Sequence, residues 1–435
     1  MYLQPGHLPG YFVSRHVSPI SLLPVLALLA VSISVHAQQD VPLTLAVAED
    51  LAFAAEPGIA ALQARAAAMS ERAELAGELP EPSLRFGLNN YPYESGNFTT
   101  EGMTSVGIAF HQAFPGGDTR EIGSQRYASM ARGIALDAET RMRNVRMAVQ
   151  YAWLDRFYWE RAYALVIESR PFFEDLATIS RSLYSVGRKS QQDVLRSVLQ
   201  LRRLEDRLID IDRQRAQAIA GLAEWIGIDA ERPLPESLPS WHSLPPLEDM
   251  QARLESHPSL AAADAEIDAQ NASVDLADER SRPGWALDVA YNYRDGYLAP
   301  GEPRSDLVSL NVTVGLPVLR KRALDSELSL ALSERSAARF ERERLLRSLA
   351  SQLRSEYARR QELMRRISLY DESIIPLSKD HAQAALLAYQ SERGDFADVM
   401  RAYIDDLDTR IEFVHLQVEQ ARSNAALANL GGLAR

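Results

Sequence analysis

Two tyrosines and two aspartates are placed alike in this chain. Asp193 follows Tyr184 by nine positions, and Asp398 follows Tyr389 by nine. The surrounding segments, Tyr184-Ser-Val-Gly-Arg-Lys-Ser-Gln-Gln-Asp193-Val194-Leu195-Arg196 and Tyr389-Gln-Ser-Glu-Arg-Gly-Asp-Phe-Ala-Asp398-Val399-Met400-Arg401, align at an offset of 205 without a gap. Carboxylates brought close together attract cations. Each Asp also follows a turn, where a short acidic side chain suits a helix N-cap. Neither use is catalytic. The chain has no His-Glu-x-x-His pair, no phosphate-binding glycine loop and no Ser or Cys in a nucleophile context. Its 8 histidines are scattered, and His111 falls on the minor face of a strand pattern, as a lumen or surface residue. No catalytic, cofactor or metal site is expected.

The matched segments belong to a longer duplication. Glu56-Pro57-Gly58-Ile59 corresponds to His257-Pro258-Ser259-Leu260 at offset 201, as does Pro82 to Pro283. Pro115 and Pro317 match at 202, and Pro171 and Pro376 at 205. A fixed period of this kind signals a repeated architecture. Each repeat reads helix, strand, strand, long helix, long helix. The first spans 38–232, with strands at about 82–92 and 104–115. The second spans 247–435, with strands at about 283–294 and 306–317. The Pro-rich stretch 233–246 has no periodic pattern and reads as the join.

The strand signals are strict alternations. Trp285, Leu287, Val289, Tyr291 and Tyr293 share one face, and Ala286, Asp288, Ala290, Asn292 and Arg294 the other. Val308, Leu310, Val312, Val314 and Leu316 oppose Ser309, Asn311, Thr313 and Gly315. In the first repeat Leu84, Phe86 and Leu88 alternate with Ser83, Arg85 and Gly87, and Val106, Ile108, Phe110 and Phe114 with Ser105, Gly107, Ala109 and Ala113. Gln112 interrupts that apolar face. The pattern suits a half-buried soluble sheet or a membrane barrel. Four strands cannot close a barrel, and an open edge in lipid leaves backbone groups unpaired; a barrel therefore demands several copies, and three would supply twelve strands. The helices are long. From Ser326 to about Ala388 the only Pro is Pro376 and there is no Gly. Met400, Ile404, Leu407, Ile411, Val414, Val418, Ala421, Ala425 and Ala428 make a coiled-coil seam, matched by Leu201, Leu204, Leu208, Ile211, Ala218, Leu222 and Trp225. A soluble bundle would explain the helices but leave the strand pairs without a role.

Residues 1–37 resemble a secretory signal peptide, apolar from Ile20 to Val35 and ending on Val35-His36-Ala37; a signal anchor is the alternative. The net charge of −12, with no Lys/Arg cluster that suggests nucleic acid, argues against a nucleic-acid partner, and the absence of Cys excludes disulfides, thiolate metal sites and a lipidated N-terminal Cys.

On the Tyr-to-Arg segments, the duplicated order and the His257-Pro258 start, the chain resembles the TolC family of outer-membrane efflux proteins. Gln112-Ala-Phe-Pro-Gly-Gly117 and Arg120 resemble the strand-to-helix corner of its heavy-metal and cation efflux subgroup. The resemblance implies a mainly α fold with a small β part. It implies a homotrimer whose 12-stranded barrel sits in outer-membrane lipid, on a helical coiled-coil tunnel in the periplasm. It also implies an inner-membrane pump of the resistance-nodulation-division type, a periplasmic adaptor (membrane fusion) protein, and metal-cation or drug cargo. By position, Tyr389 matches the gate tyrosine, Asp193 the aspartate that tethers it, and Asp398 the first carboxylate of a ring at the constriction. Two positions depart from the pattern: the tethering Arg aligns with Gly394, with Arg393 beside it as substitute, and the second ring carboxylate aligns with Arg401. Glu392 and Asp395 are alternative acidic liners. A periplasmic adaptor, a coiled-coil structural protein and the duct of a type I secretion system are the competing readings.

Overall fold

A computed structural model describes residues 41–241, 245–298 and 301–431; the expected signal segment lies outside them. The first repeat comprises α1 (Leu45–Ala55), α2 (Pro57–Gly77), β1 (Ser83–Asn89), β2 (Ser105–Phe114), α3 (Thr119–Ser185) and α4 (Gln191–Ile226). The second comprises α5 (Leu247–Leu254), α6 (Pro258–Glu279), β3 (Trp285–Tyr293), β4 (Leu307–Val314), α7 (Lys321–Leu369), α8 (Ile375–Gln390) and α9 (Phe396–Asn429). The helix, strand, strand, long helix, long helix order therefore holds in both, with α1 and α5 as short additions in front.

The duplicated X-Pro starts have the same physical cause. Glu56 caps α2 by accepting from the Gly58 N–H at 3.0 Å, and His257 caps α6 by accepting from the Ser259 N–H at Nδ1. In each helix Pro occupies the first turn, where a missing N–H costs no hydrogen bond. His257 is buried, and that burial, with the Arg143 guanidinium adding to it, lowers its proton affinity. A neutral ring can accept at the cap; an imidazolium cannot.

The 67 residues of α3 extend for about 100 Å at ~1.5 Å per residue, and they continue through Pro171. The matching Pro376 is treated differently. The expected single helix over Ser326 to Ala388 is broken by a π turn at Tyr370–Ile374, placing Pro376 in the first turn of α8. Proline's ring crowds the carbonyl four residues earlier, and the wider π turn relieves that contact.

Both seams are buried as their spacing predicts. Leu204, Ile211, Ala218 and Leu222 of α4 are buried, and so are Met400, Leu407, Ile411, Val418, Ala421 and Ala425 of α9. One core, around Leu43, Trp153, Leu154, Leu222 and Val418, lies midway along α3. A second runs from Val166 and Leu176 to Tyr389, Phe396 and Leu407 at the hairpin tips, and a third packs α5 and α6 on Leu353 and Leu427. The join between repeats is packed as well as polar: Pro233 O accepts from Leu43 N at 2.7 Å, and Leu234, Leu238 and Trp241 lie against the first core.

Candidate functional site

Among the described residues, four strands form one antiparallel sheet in the order β1-β2-β3-β4, so the two repeats meet at the β2–β3 pair and both outer edges are unpaired. The register puts every alternation in phase. Leu84 faces Phe110, Phe110 faces Val289, and Val289 faces Leu310. One row further along, Phe86, Ile108, Tyr291 and Val308 line up in the same way. The result is one continuous apolar face, and most of it is exposed: Phe86 and Val308 are each 74% accessible. At one end Phe114 stacks on Trp285 with centroids 4.1 Å apart; towards the other stand exposed Tyr91, Tyr93, Tyr293 and Tyr297. Aromatic side chains bounding an apolar band fit the two interfaces of a bilayer. Among the described residues, no helix is long and apolar enough to cross a membrane. The opposite face is polar. His111 lies directly across from Asp288, its Nδ1 2.9 Å from the carboxylate, and Asn89 donates to Asn292 at 3.1 Å.

Below the sheet, the chain turns from β2 into α3 through Gly116 and Gly117. A Cβ at Gly116 would stand 2.5 Å from the Arg282 carbonyl oxygen, and Gly117 has φ +56°, so both positions require glycine. The close approach lets the buried Glu279 carboxylate accept from Asp118 N at 3.0 Å, at the positive end of α3. Arg282 holds the other carboxylate oxygen at 3.1 Å. Gln112 donates to Pro80 O and Arg120 to Gly77 O, which ties α2 into the same corner.

At the far end the two hairpin tips are built alike. Arg188 N donates to Leu183 O, and Arg393 N donates to Ala388 O, the six-to-one closure of a Schellman turn. The left-handed position is Gly187 in the first tip and Glu392, at φ +62°, in the second. Ser190 and Asp395 are the N-caps of the helices that follow. Asp193 and Asp398 are therefore not caps: each lies in the first helical turn, three residues on, where its charge still complements the helix dipole.

The structure brings Tyr389 and Asp193 together and leaves Arg393 and Asp398 at the surface. Tyr389 is fully buried, edge-on to Phe396, with Lys189 Nζ 4.5 Å above its ring. Burial, with the Asp193 carboxylate adding to it, pushes the phenol up to about 12. Its hydroxyl has no hydrogen-bond partner among the described residues. Arg393 is exposed, and Asp398 is exposed and 3.4 Å from Arg401. The cations that meet the second tip come instead from the first, Lys189 over Tyr389 and Arg188 at 3.2 Å from Glu392. Arg188 and Lys189 were invisible as partners in the sequence, because nothing local says that the two tips touch.

This geometry gives a direct test. Since the Tyr389 hydroxyl is buried without a partner, Tyr389→Phe removes a desolvated polar group and keeps the ring contacts. Thermal unfolding should be unchanged or shifted upward. A loss above about 1 kcal/mol would show that the hydroxyl is hydrogen-bonded in the folded protein.

An open-edged four-strand sheet with one apolar face, standing on two long helical hairpins, is the fold of an outer-membrane channel subunit. The family model for outer membrane efflux proteins matches residues 250–433, within the second half of the chain. Among solved structures it is similar to the CmeC outer membrane channel of Campylobacter jejuni (TM-score 0.73, 13% identity, 89% of this chain and 86% of that one). It is also similar to the outer membrane protein VceC of Vibrio cholerae (TM-score 0.71, 17% identity, 89% and 96%). The open state of the Neisseria gonorrhoeae MtrE channel matches at TM-score 0.71 and 16% identity over 91% and 94%. At these identities the likeness establishes the fold. Comparison with curated protein sequences finds no match.

Proposed function

We propose that the chain is the subunit of a passive, homotrimeric exit duct in the cell outer membrane, its helical tunnel in the periplasm. One observation carries the reading: an exposed, aromatic-bounded apolar face on a sheet whose two edges are both free. Free edges cannot remain open in lipid, and three copies, each pairing β4 with the next β1, close twelve strands. The lone chain also leaves Leu330 and Phe340 of α7 and Leu195 and Ile209 of α4 exposed, as helix faces awaiting neighbours. Residues 1–37 serve as the export signal, and 38–232 and 247–435 are the two repeats about the join 233–246.

Closure turns the polar face inward, where Asn311, Asp288, His111 and Arg85 line a wetted lumen. The duct supplies no energy, so an inner-membrane pump of the resistance-nodulation-division type drives transport and a periplasmic adaptor links the two. The Gly116-Gly117 corner favours metal-cation or drug cargo by its likeness to the cation-efflux subgroup. At the tips, three copies of Asp398 form a carboxylate ring that Arg401 only partly offsets, because an ion pair this exposed is weak.

Single-channel recording in planar bilayers tests the reading. The wild type should conduct, prefer cations, and be blocked by multivalent cations added on the tip side. Asp398→Ala should conduct with reduced cation preference and lose the block. A protein that never opens a conductance would sink the duct. A conducting variant with wild-type selectivity and block would reduce Asp398 to a first-turn helix charge.

A further inference from the structure

The two strand-to-helix corners have diverged. Pro115-Gly116-Gly117-Asp118-Thr119-Arg120 in the first repeat aligns with Pro317-Val318-Leu319-Arg320-Lys321-Arg322 in the second. The first corner is folded inward, with Gly116 and Gly117 pressed against Arg282 and Glu279. The second is a short 3-10 turn, Pro317–Leu319, that buries nothing. Val318 is 74% and Leu319 96% accessible, although apolar side chains of this size ordinarily find cover. The turn follows Leu316, itself exposed, in the alternation that carries Val312 and Val314 on the apolar face. Three cations come next. Arg320 lies 3.6 Å from Glu327, but Glu327 is already held by Arg280 at 2.7 Å. Lys321 and Arg322 are exposed and have no ion-pair partner among the described residues. Asp325 and Glu327 are the acids of the same first turns of α7, so the cluster remains net positive.

Two leucines and a valine continuing an apolar band, followed at once by three exposed cations, match a bilayer boundary from acyl chain to headgroup. We propose that Leu316 to Arg322 is a membrane-surface anchor. Val318 and Leu319 enter the acyl layer on the helix side of the outer membrane, and Arg320, Lys321 and Arg322 bind the phosphates of acidic phospholipids. The proposal rests on the reading of the apolar sheet face as lipid-facing and goes beyond it. The anchor would set the depth of the barrel and oppose tilting of the helical tunnel. The first repeat, with no apolar or cationic run at its corner, contributes nothing comparable.

The chain contains no Cys, so single cysteines can report position in the assembled, full-length protein. Leu319→Cys and, as reference, Val312→Cys are labelled with bimane and reconstituted into vesicles of mixed phosphatidylglycerol and phosphatidylcholine. One lipid at a time is brominated near the top of its acyl chains. The 319 label should be quenched, and quenched more by brominated phosphatidylglycerol than by brominated phosphatidylcholine. One basic residue near an acidic surface changes affinity by about five-fold. Replacing Arg320, Lys321 and Arg322 together with Ala should bring the two lipids to equal quenching. Quenching at 312 without quenching at 319 would overturn the anchor and place the turn in water or against the next copy. Equal quenching by both lipids in the otherwise unmodified background would overturn the acidic-lipid contact. Absence of quenching at both positions would overturn the membrane-facing sheet itself.

Discussion

Val312→Arg is expected to deplete the assembled protein from the outer membrane, and Asn311→Arg to leave it in place. The two residues are neighbours on β4 and differ only in face. Val312 is paired with Leu287, is 60% accessible, and belongs to the apolar face. Arg at such a position costs roughly 2–4 kcal/mol near the bilayer midplane, and the proposed trimer would carry that cost in each copy. Asn311 is paired with Asp288 on the polar face. An Arg there meets a carboxylate and, in the proposed duct, lumen water, so it is accommodated. Fractionation followed by gel analysis of the heat-sensitive oligomer measures both. Equal depletion by the two variants would contradict the assigned faces, and no depletion by Val312→Arg would remove lipid from that side of the sheet.

The contrast between these neighbours was legible before any coordinates, because a strand writes its two faces into a window of a few residues. Trp285 to Tyr293 alternates without fault, and the register then brings each apolar residue opposite another. The duplication was legible for a related reason. Landmarks such as Pro115 and Pro317 hold their spacing even where the residues after them have diverged. Partners across the repeats were not legible. Glu279 lies 161 positions from Asp118, yet its carboxylate fixes the start of α3. Gly116 and Gly117 announced a tight corner without naming what approaches it. Likewise, Arg188 and Glu392 carried no mark of their ion pair, and the first-turn place of Asp193 and Asp398 depended on where the caps at Ser190 and Asp395 fell. The π turn before Pro376 escaped because Pro171, at the matching position, leaves α3 unbroken.

Trp153→Ala is expected to cost about 3–5 kcal/mol, the range for deleting a large aromatic from a packed core. Trp153 is fully buried midway along α3, and its ring stacks on Phe157 at 5.5 Å. Its indole N–H donates to Leu43 O at 2.9 Å. Leu43 in turn donates from its own N–H to Pro233 O at 2.7 Å, and Arg232 holds Val41 O at 2.8 Å. One side chain therefore fastens the start of α1 and the beginning of the join to the long helix α3. Ala would leave a void in the core shared by α1, α3, α4 and α9, and an unpaired buried carbonyl. Trp153→Phe separates the two losses, since it refills most of the volume but cannot donate to Leu43. That variant should cost about 1–3 kcal/mol, the penalty for an acceptor left unsatisfied. Thermal unfolding of the purified oligomer gives the order wild type, Phe, Ala. Limited proteolysis should locate the damage, with new cleavage ahead of α1 and near Pro233 while the sheet resists. If Trp153→Phe unfolds with the wild type and shows no new cleavage, the hydrogen bond to Leu43 does not hold the join, and packing alone secures it.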